Sequence, residues 1–195
     1  MISAKIRGIG FFVLLALLGI SDLQAQEVDT VKLEVPKPSD NYSIAQMDSI
    51  YLIAYDYYKK GRYEIVVNKV PPLIENAEAI NAHLSAVRLT SLVGNAFIQL
   101  DDPGSALELF NKKLEVATSR KDTLSLMSTY INLGNVYFDS NTDLAIDYLE
   151  NALLYTTDGE MGDLAFTICH QNLAELYVKL KRPGMAQMHL DLAKP

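Results

Sequence analysis

The sequence predicts an all-α chain built from antiparallel helix pairs. Three observations point there. From Ser43 onward apolar residues recur at helical spacing, and no strand-like alternation persists. Turn signals divide that stretch into eight helices. Three columns of like residues then recur at an interval of 40 positions.

The elements follow in order. Ser43 is suited to cap a helix running to about Lys60, where Gly61 stops it. The second helix contains Pro71 and Pro72, which predicts a kink or break near Val70, because proline removes a hydrogen bond and clashes with the preceding turn. A third helix is expected from about Ile80 to Leu100. In "DDPG", Asp102 is a cap and Pro103 fits the first helical position, so a fourth helix runs from Pro103 to about Thr118. Asp122 caps a fifth, ending near Asp139. "SNTD" turns into a sixth, about Asp143 to Tyr155, and "TTDGE" is a loop. The seventh spans about Gly162 to Leu180. "KRPG" then repeats the Pro-Gly device and opens an eighth helix at Pro183.

The columns organise these helices into four pairs. Ala54, Gly94, Gly134 and Ala174 are small, and Tyr57, Phe97, Tyr137 and Tyr177 are aromatic. Ile53, Val93, Leu133 and Leu173 are aliphatic. Ala106, Ala145 and Ala186 form a small column on the second helices, with Val66 in the first pair. Ala145 arrives one residue early, so the "SNTD" turn is one residue shorter and the "TTDGE" loop must restore the register. A mid-helix glycine costs about 1 kcal/mol relative to alanine. Gly94 and Gly134 therefore predict a close approach between paired helices, Gly94 to Ala106 and Gly134 to Ala145, that a larger side chain would block.

"AYDYYKKGRYEIV" (54–66) and "LGNVYFDSNTDLAIDYLENAL" (133–153) resemble the tetratricopeptide repeat, which has an aliphatic-small pair, an aromatic three residues on, a turn, and a small residue on the second helix. The resemblance covers about Met47 to the C-terminus. The common repeat has about 34 residues, so this chain looks like a long 40-residue variant. Val66, the proline pair and the lack of a closing proline depart from the pattern. The resemblance implies a right-handed superhelix of four helix pairs with a concave face, the last pair looking truncated. It also implies binding of a peptide or protein ligand in that face, by the first helix of each pair. The implied lining is Tyr55, Asn95, Asn135 and Glu175, with Tyr51, Ser91, Ile131 and Gln171 one turn earlier and Tyr58, Ile98, Phe138 and Val178 one turn later. Tyrosine and amide side chains suit peptide recognition, offering contact area and backbone-like hydrogen bonds. The alternative for Tyr51, Tyr55 and Tyr58 is that they cover an exposed first repeat. The two innermost columns hold no Lys or Arg, and Lys59, Arg88 and Lys179 nearby do not rebuild the carboxylate clamp of the family's chaperone-tail-binding branch.

Hydrophobic residues make up 49% of the 195, enough for a buried core. A net charge of −7 argues against nucleic acid, whose phosphates need a basic face, and against a polybasic membrane contact. Lys5 and Arg7, the 12-residue apolar run Ile9 to Ile20, and Ala25 have the layout of a secretory signal peptide. The run is shorter than the roughly 20 residues that span a bilayer. Cleavage between Ala25 and Gln26 is expected, with an uncleaved anchor as the alternative. The predicted organisation is leader 1–25, flexible linker 26–42 and helical repeat domain 43–195, exported to the periplasm or beyond, with no membrane insertion of the mature domain. Removing Lys5, Arg7 and Asp22 leaves 15 basic and 23 acidic residues.

Cys169 is the only cysteine, so no internal disulfide can form. It reads as a small buried hydrophobe. His170 and His189 can approach each other but lack a placed carboxylate, a weak metal site. There is no phosphate loop, G-x-S-x-G or H-E-x-x-H. The chain is thus expected to be no enzyme and to hold no cofactor or metal. Exported arrays of this kind resemble the N-terminal sensory regions of bacterial membrane signalling proteins. A sensor portion of a longer receptor and a free-standing envelope adaptor both fit the sequence.

Overall fold

The structure, a computed structural model, describes residues 42–193. The expected leader and nearly all of the expected linker lie outside the described residues. Among the described residues there are nine helices and no strand. The first four are α1 (Ile44–Lys59), α2 (Tyr63–Lys69), α3 (Pro71–Ala79) and α4 (His83–Gln99). There follow α5 (Pro103–Arg120), α6 (Thr123–Tyr137), α7 (Thr142–Leu153), α8 (Glu160–Lys179) and α9 (Pro183–Leu192). By packing, the described chain divides into two compact units, 42–116 and 117–193, the boundary falling inside α5. No helix among the described residues is long and apolar enough to cross a membrane.

The proline pair acts as its chemistry requires. α2 ends at Lys69, Val70 keeps helical dihedrals, and Pro71 opens α3, so the chain turns without losing its path. Ser43 caps α1 through a full capping box: its Oγ accepts from the Gln46 N–H, and Gln46 Oε1 accepts from the Ser43 N–H. Asp102 and Asp122 are twin caps 20 residues apart. Each accepts from the N–H of the serine three residues on, at 3.0 Å from Ser105 and 3.1 Å from Ser125. Each also accepts from that serine's hydroxyl, at 2.6 and 2.7 Å.

The helix ends share one device. Gly61, Asn81, Asp101, Lys121 and Lys181 all have positive φ, between 53° and 72°. After each, the next residue's N–H reaches back to a carbonyl in the last helical turn: Arg62 to Tyr57, Ala82 to Ala77, Asp102 to Phe97, Asp122 to Ala117 and Arg182 to Tyr177, at 2.8–3.0 Å. This six-to-one bond satisfies carbonyls that a helix end leaves orphaned. It also explains why the third predicted helix starts at His83 and not at Ile80: residues 80–82 belong to the cap of α3. The turn after α6 departs from the set. Asn141 N–H bonds Tyr137 O directly at 2.8 Å, and the chain moves from aromatic to cap in four residues where the other pairs take five. The residue missing from "SNTD" is thus the left-handed one.

In the first unit, α1 packs on α2 and α4, and α2 and α3 pack on α4. Its core includes Met47, Tyr51, Ala54, Val66, Leu73, Leu89, Val93 and Phe110. In the second, α6 pairs with α7 and α8 with α9, while α7 also packs on α8. Its core includes Ile131, Leu149, Ile168, Cys169, Leu173 and Leu176. All four members of the small column are buried.

The glycines do admit a close approach, Gly134 beside Ala145 as expected, and at each of them the nearest side chain is a large one. Beside Gly94 the nearest side chain is the ring of Phe110, one turn past Ala106. An added Cβ would lie 2.7 Å from Cε2 and closer still to Cζ. At Gly134 it would lie 2.9 Å from Leu149 Cγ, with the Ala145 carbonyl next at 3.4 Å. Phe110 and Leu149 occupy the same place, four residues after the small residue of the second helix. In both pairs a large side chain fills the notch that the glycine leaves.

Candidate functional site

The predicted lining residues fall into two sets, one in each unit. In the first unit most are inside. Tyr51 is 1% exposed, Tyr58 4%, Ser91 5% and Asn95 0%. The cause is α4 itself. Every residue from Leu89 to Ala96 is buried, so this helix has no free face over that stretch. Its polar positions are built for burial. Thr90 Oγ1 donates to the Ala86 carbonyl at 2.8 Å and Ser91 Oγ to the Val87 carbonyl at 3.1 Å. Ser85 Oγ donates to Asp48 Oδ1 at 2.6 Å, tying α4 to α1.

Tyr55 is the accessible member of the first set, half-buried and stacked on Tyr51 at 6.1 Å between centroids. Lys59 Nζ sits 5.6 Å from the Tyr55 ring centre, and the Arg88 guanidinium 5.5 Å from that of Tyr51. Burial raises the Tyr51 phenol well above its ordinary range, against a smaller opposing pull from Arg88. Burial also raises Tyr58, which meets Tyr63 edge-on at 5.1 Å. Both phenols therefore stay protonated near neutral pH.

In the second unit the predicted residues remain accessible. Glu175 is exposed, and Asn135 and Gln171 are half-buried. Asn135 Oδ1 accepts from Asn172 Nδ2 at 3.2 Å, joining α6 to α8. That leaves the Asn135 amide N–H groups pointing away from this bond. Asn172 was not among the predicted residues, although it stands one period after Asn132. Of the flanking positions, Ile131 is buried, Phe138 half-buried and Val178 62% exposed. Lys179 Nζ lies 3.9 Å from the Phe138 ring centre and bonds both the Phe138 carbonyl at 3.1 Å and Asp139 Oδ1 at 2.7 Å. It closes one end of this surface. In the first unit Ile98 is half-buried.

The remaining chemistry-bearing residues sit elsewhere in the second unit. Cys169 is buried, and burial pushes its thiol up to about 12. That keeps it a neutral thiol and a poor nucleophile at neutral pH. His170 and His189 meet Nδ1 to Nδ1 at 2.8 Å, both buried. Tyr130, Tyr137, Tyr148 and Tyr155 form a chain of ring contacts across α6, α7 and the turn after α7, at 5.7–6.2 Å. Among the described residues, no group of three or more His, Cys, Asp or Glu is placed to hold a metal ion. The chain matches no protein-family model and no curated protein.

Proposed function

We propose that this chain is a protein–protein interaction scaffold of tetratricopeptide-like helix pairs that binds a peptide or protein ligand. The observation that carries the reading is the repeat itself. Buried small residues 40 positions apart recur through the described chain, and Gly94 and Gly134 each meet a side chain of the following helix. In the tetratricopeptide family such pairs stack into a right-handed superhelix that presents its first helices to a ligand. Exposed side chains on the first helices supply the contacts proposed here.

The binding surface proposed here is the part of the predicted track that solvent reaches. In the second unit it consists of Asn135, Gln171 and Glu175, flanked by Phe138 and Val178. Tyr55 in the first unit is a separate candidate contact, taken by itself. Asn135 supplies amide N–H donors, Glu175 an acceptor, and Val178 an apolar contact, a set suited to an extended backbone with a basic or amide side chain. Tyr51 stacks on Tyr55 within the first unit, where Tyr58, Ser91 and Asn95 are also buried. The mature domain is proposed to act outside the cytoplasm, on the strength of the leader-like first 25 residues.

Binding is tested by selecting ligands from a displayed peptide library on the purified chain and titrating the winners against Asn135→Ala and Gln171→Ala. Each lost hydrogen bond should cost about 0.5–1.5 kcal/mol of affinity, with melting nearly unchanged in Gln171→Ala and lowered in Asn135→Ala, which also leaves the buried Asn172 amide without its acceptor. Peptides that bind both variants as tightly as the parent would overturn the placement of the surface.

A further inference from the structure

The last helix is held in an unusual way. Of the ten residues of α9 only Ala186 and His189 are buried, with Ala193 just beyond its end. Met185, Met188, Leu190 and Leu192 are 39–46% exposed, so the apolar side chains that normally anchor a helix contribute little here. His189 is the one large side chain that α9 buries. It stacks on Tyr177 at 5.2 Å and meets His170 Nδ1 to Nδ1 at 2.8 Å, and His170 in turn packs edge-on against Phe166 at 4.3 Å.

Two facing imidazole nitrogens 2.8 Å apart share a single proton: one ring donates N–H and the other accepts on its lone pair. A first added proton is tolerated. It enters at Nε2 of the donor ring, and the bond survives in charge-assisted form. A second added proton must go on the accepting ring. The accepting ring already carries hydrogen on Nε2, so the proton enters at Nδ1. Both facing nitrogens then carry hydrogens, the bond is lost, and two like charges are pressed together in a buried site. That drives the rings apart.

We propose that the His170–His189 pair is a proton-operated latch that holds α9 on α8 when the pair carries at most one extra proton and lets α9 go when both imidazoles are charged. The surroundings fit that order. Burial depresses both histidines, and His189 further depresses His170. Glu150 on α7 favours charge on His189. On α8 the neighbouring groups are Tyr177 and the neutral Cys169 thiol, and on α9 Asp191 is exposed. The α6 tyrosines, Tyr130 and Tyr137, stack on Tyr148 and Tyr155 and leave the pair alone.

The sign follows from proton uptake. Released α9 frees both rings to titrate near the ordinary value of about 6.5, whereas the docked pair binds its second proton only at lower pH. Docking is thus fully present above that range and is lost as pH falls below it, by about tenfold per pH unit for one proton taken up on release.

The test is hydrogen exchange of the full chain between pH 7.5 and 4.5, corrected for intrinsic exchange, read over α9 beside α7. Protection of α9 should fall about tenfold per pH unit below the histidine range while α7 holds, and His170→Gln should flatten that slope. Constant α9 protection, or an equal slope in His170→Gln, overturns the latch. Should the variant fail to dock α9 at pH 7.5, imidazole nitrogen resonances of the unmodified chain decide. Loss of the shared Nδ1 proton in step with α9 opening supports the latch, and its persistence in the opened state overturns it. The inference does not depend on the ligand surface.

Discussion

Gly94→Ala tests the packing argument most directly. Two opposed effects meet at this position. Alanine stabilises a helix interior by about 1 kcal/mol over glycine. The new Cβ, however, lands 2.7 Å from Phe110 Cε2 and nearer to Cζ, whereas carbon atoms rest at about 3.5–4.0 Å. The nearest atom, Cζ, sets the shift that the ring must make, which is more than about 1 Å against that contact distance. Phe110 is 0% exposed and cannot swing into solvent. Overpacking of this kind costs about 1–3 kcal/mol, so the propensity gain is cancelled or exceeded. Gly184→Ala supplies the reference, because nothing lies within 4 Å of its added Cβ. Gly134→Ala should fall between the two, since Leu149 at 2.9 Å has to yield by less. Urea and thermal unfolding should therefore rank Gly184→Ala above Gly134→Ala above Gly94→Ala. Each kcal/mol moves the melting of a 60–100-residue cooperative unit by about 4–8 °C. Phe110→Leu should cost less in the Gly94→Ala background than alone, a coupling of about 0.5–3 kcal/mol. If Gly94→Ala stabilises as much as Gly184→Ala and shows no coupling to Phe110, the notch is not a packing device.

Gly162→Ala should be worse than any of these in calorimetric melting. Its Cβ would overlap the Thr157 carbonyl, and backbone cannot rotate aside as a side chain can; an unchanged melting temperature would refute that reading. For export, N-terminal sequencing of protein recovered from the cell envelope should begin at Gln26. Intact Met1 on cytoplasmic protein would refute it.

Much of the fold was legible in the sequence because its signals are local. The break at Val70 followed from two prolines, and the caps at Ser43, Asp102 and Asp122 from their side-chain chemistry. The left-handed ends were only partly legible. Gly61 announces one, and Asn81 and Asp101 are tolerated there, but Lys121 and Lys181 carry no such signal and are held by the backbone bond each turn closes. Pairing small with small left out Phe110, a large residue one turn past Ala106 that reaches into the gap at Gly94. Exposure of the candidate residues was legible where a helix keeps one free face, as at Gln171 and Glu175 on α8. It was not legible on α4, where helical periodicity gives no hint that both faces are covered. Asn172 was overlooked since only the column next to the small residue was read.

The evenly spaced left-handed ends bear on how such a chain can change length. Gly61, Asn81, Asp101 and Lys121 mark out stretches of 20 residues, and Lys181 falls three such stretches further on. Each stretch carries its own start, helix and closing backbone bond, so its boundaries do not depend on what lies beyond them. Duplication or loss of 40 residues between equivalent turns would preserve every cap and return the chain in phase. The "SNTD" turn is one residue shorter than its counterparts, which breaks this phase locally. The loop between Leu153 and Glu160 restores the count, and the aromatic of the next pair, Tyr177, stands at its expected place.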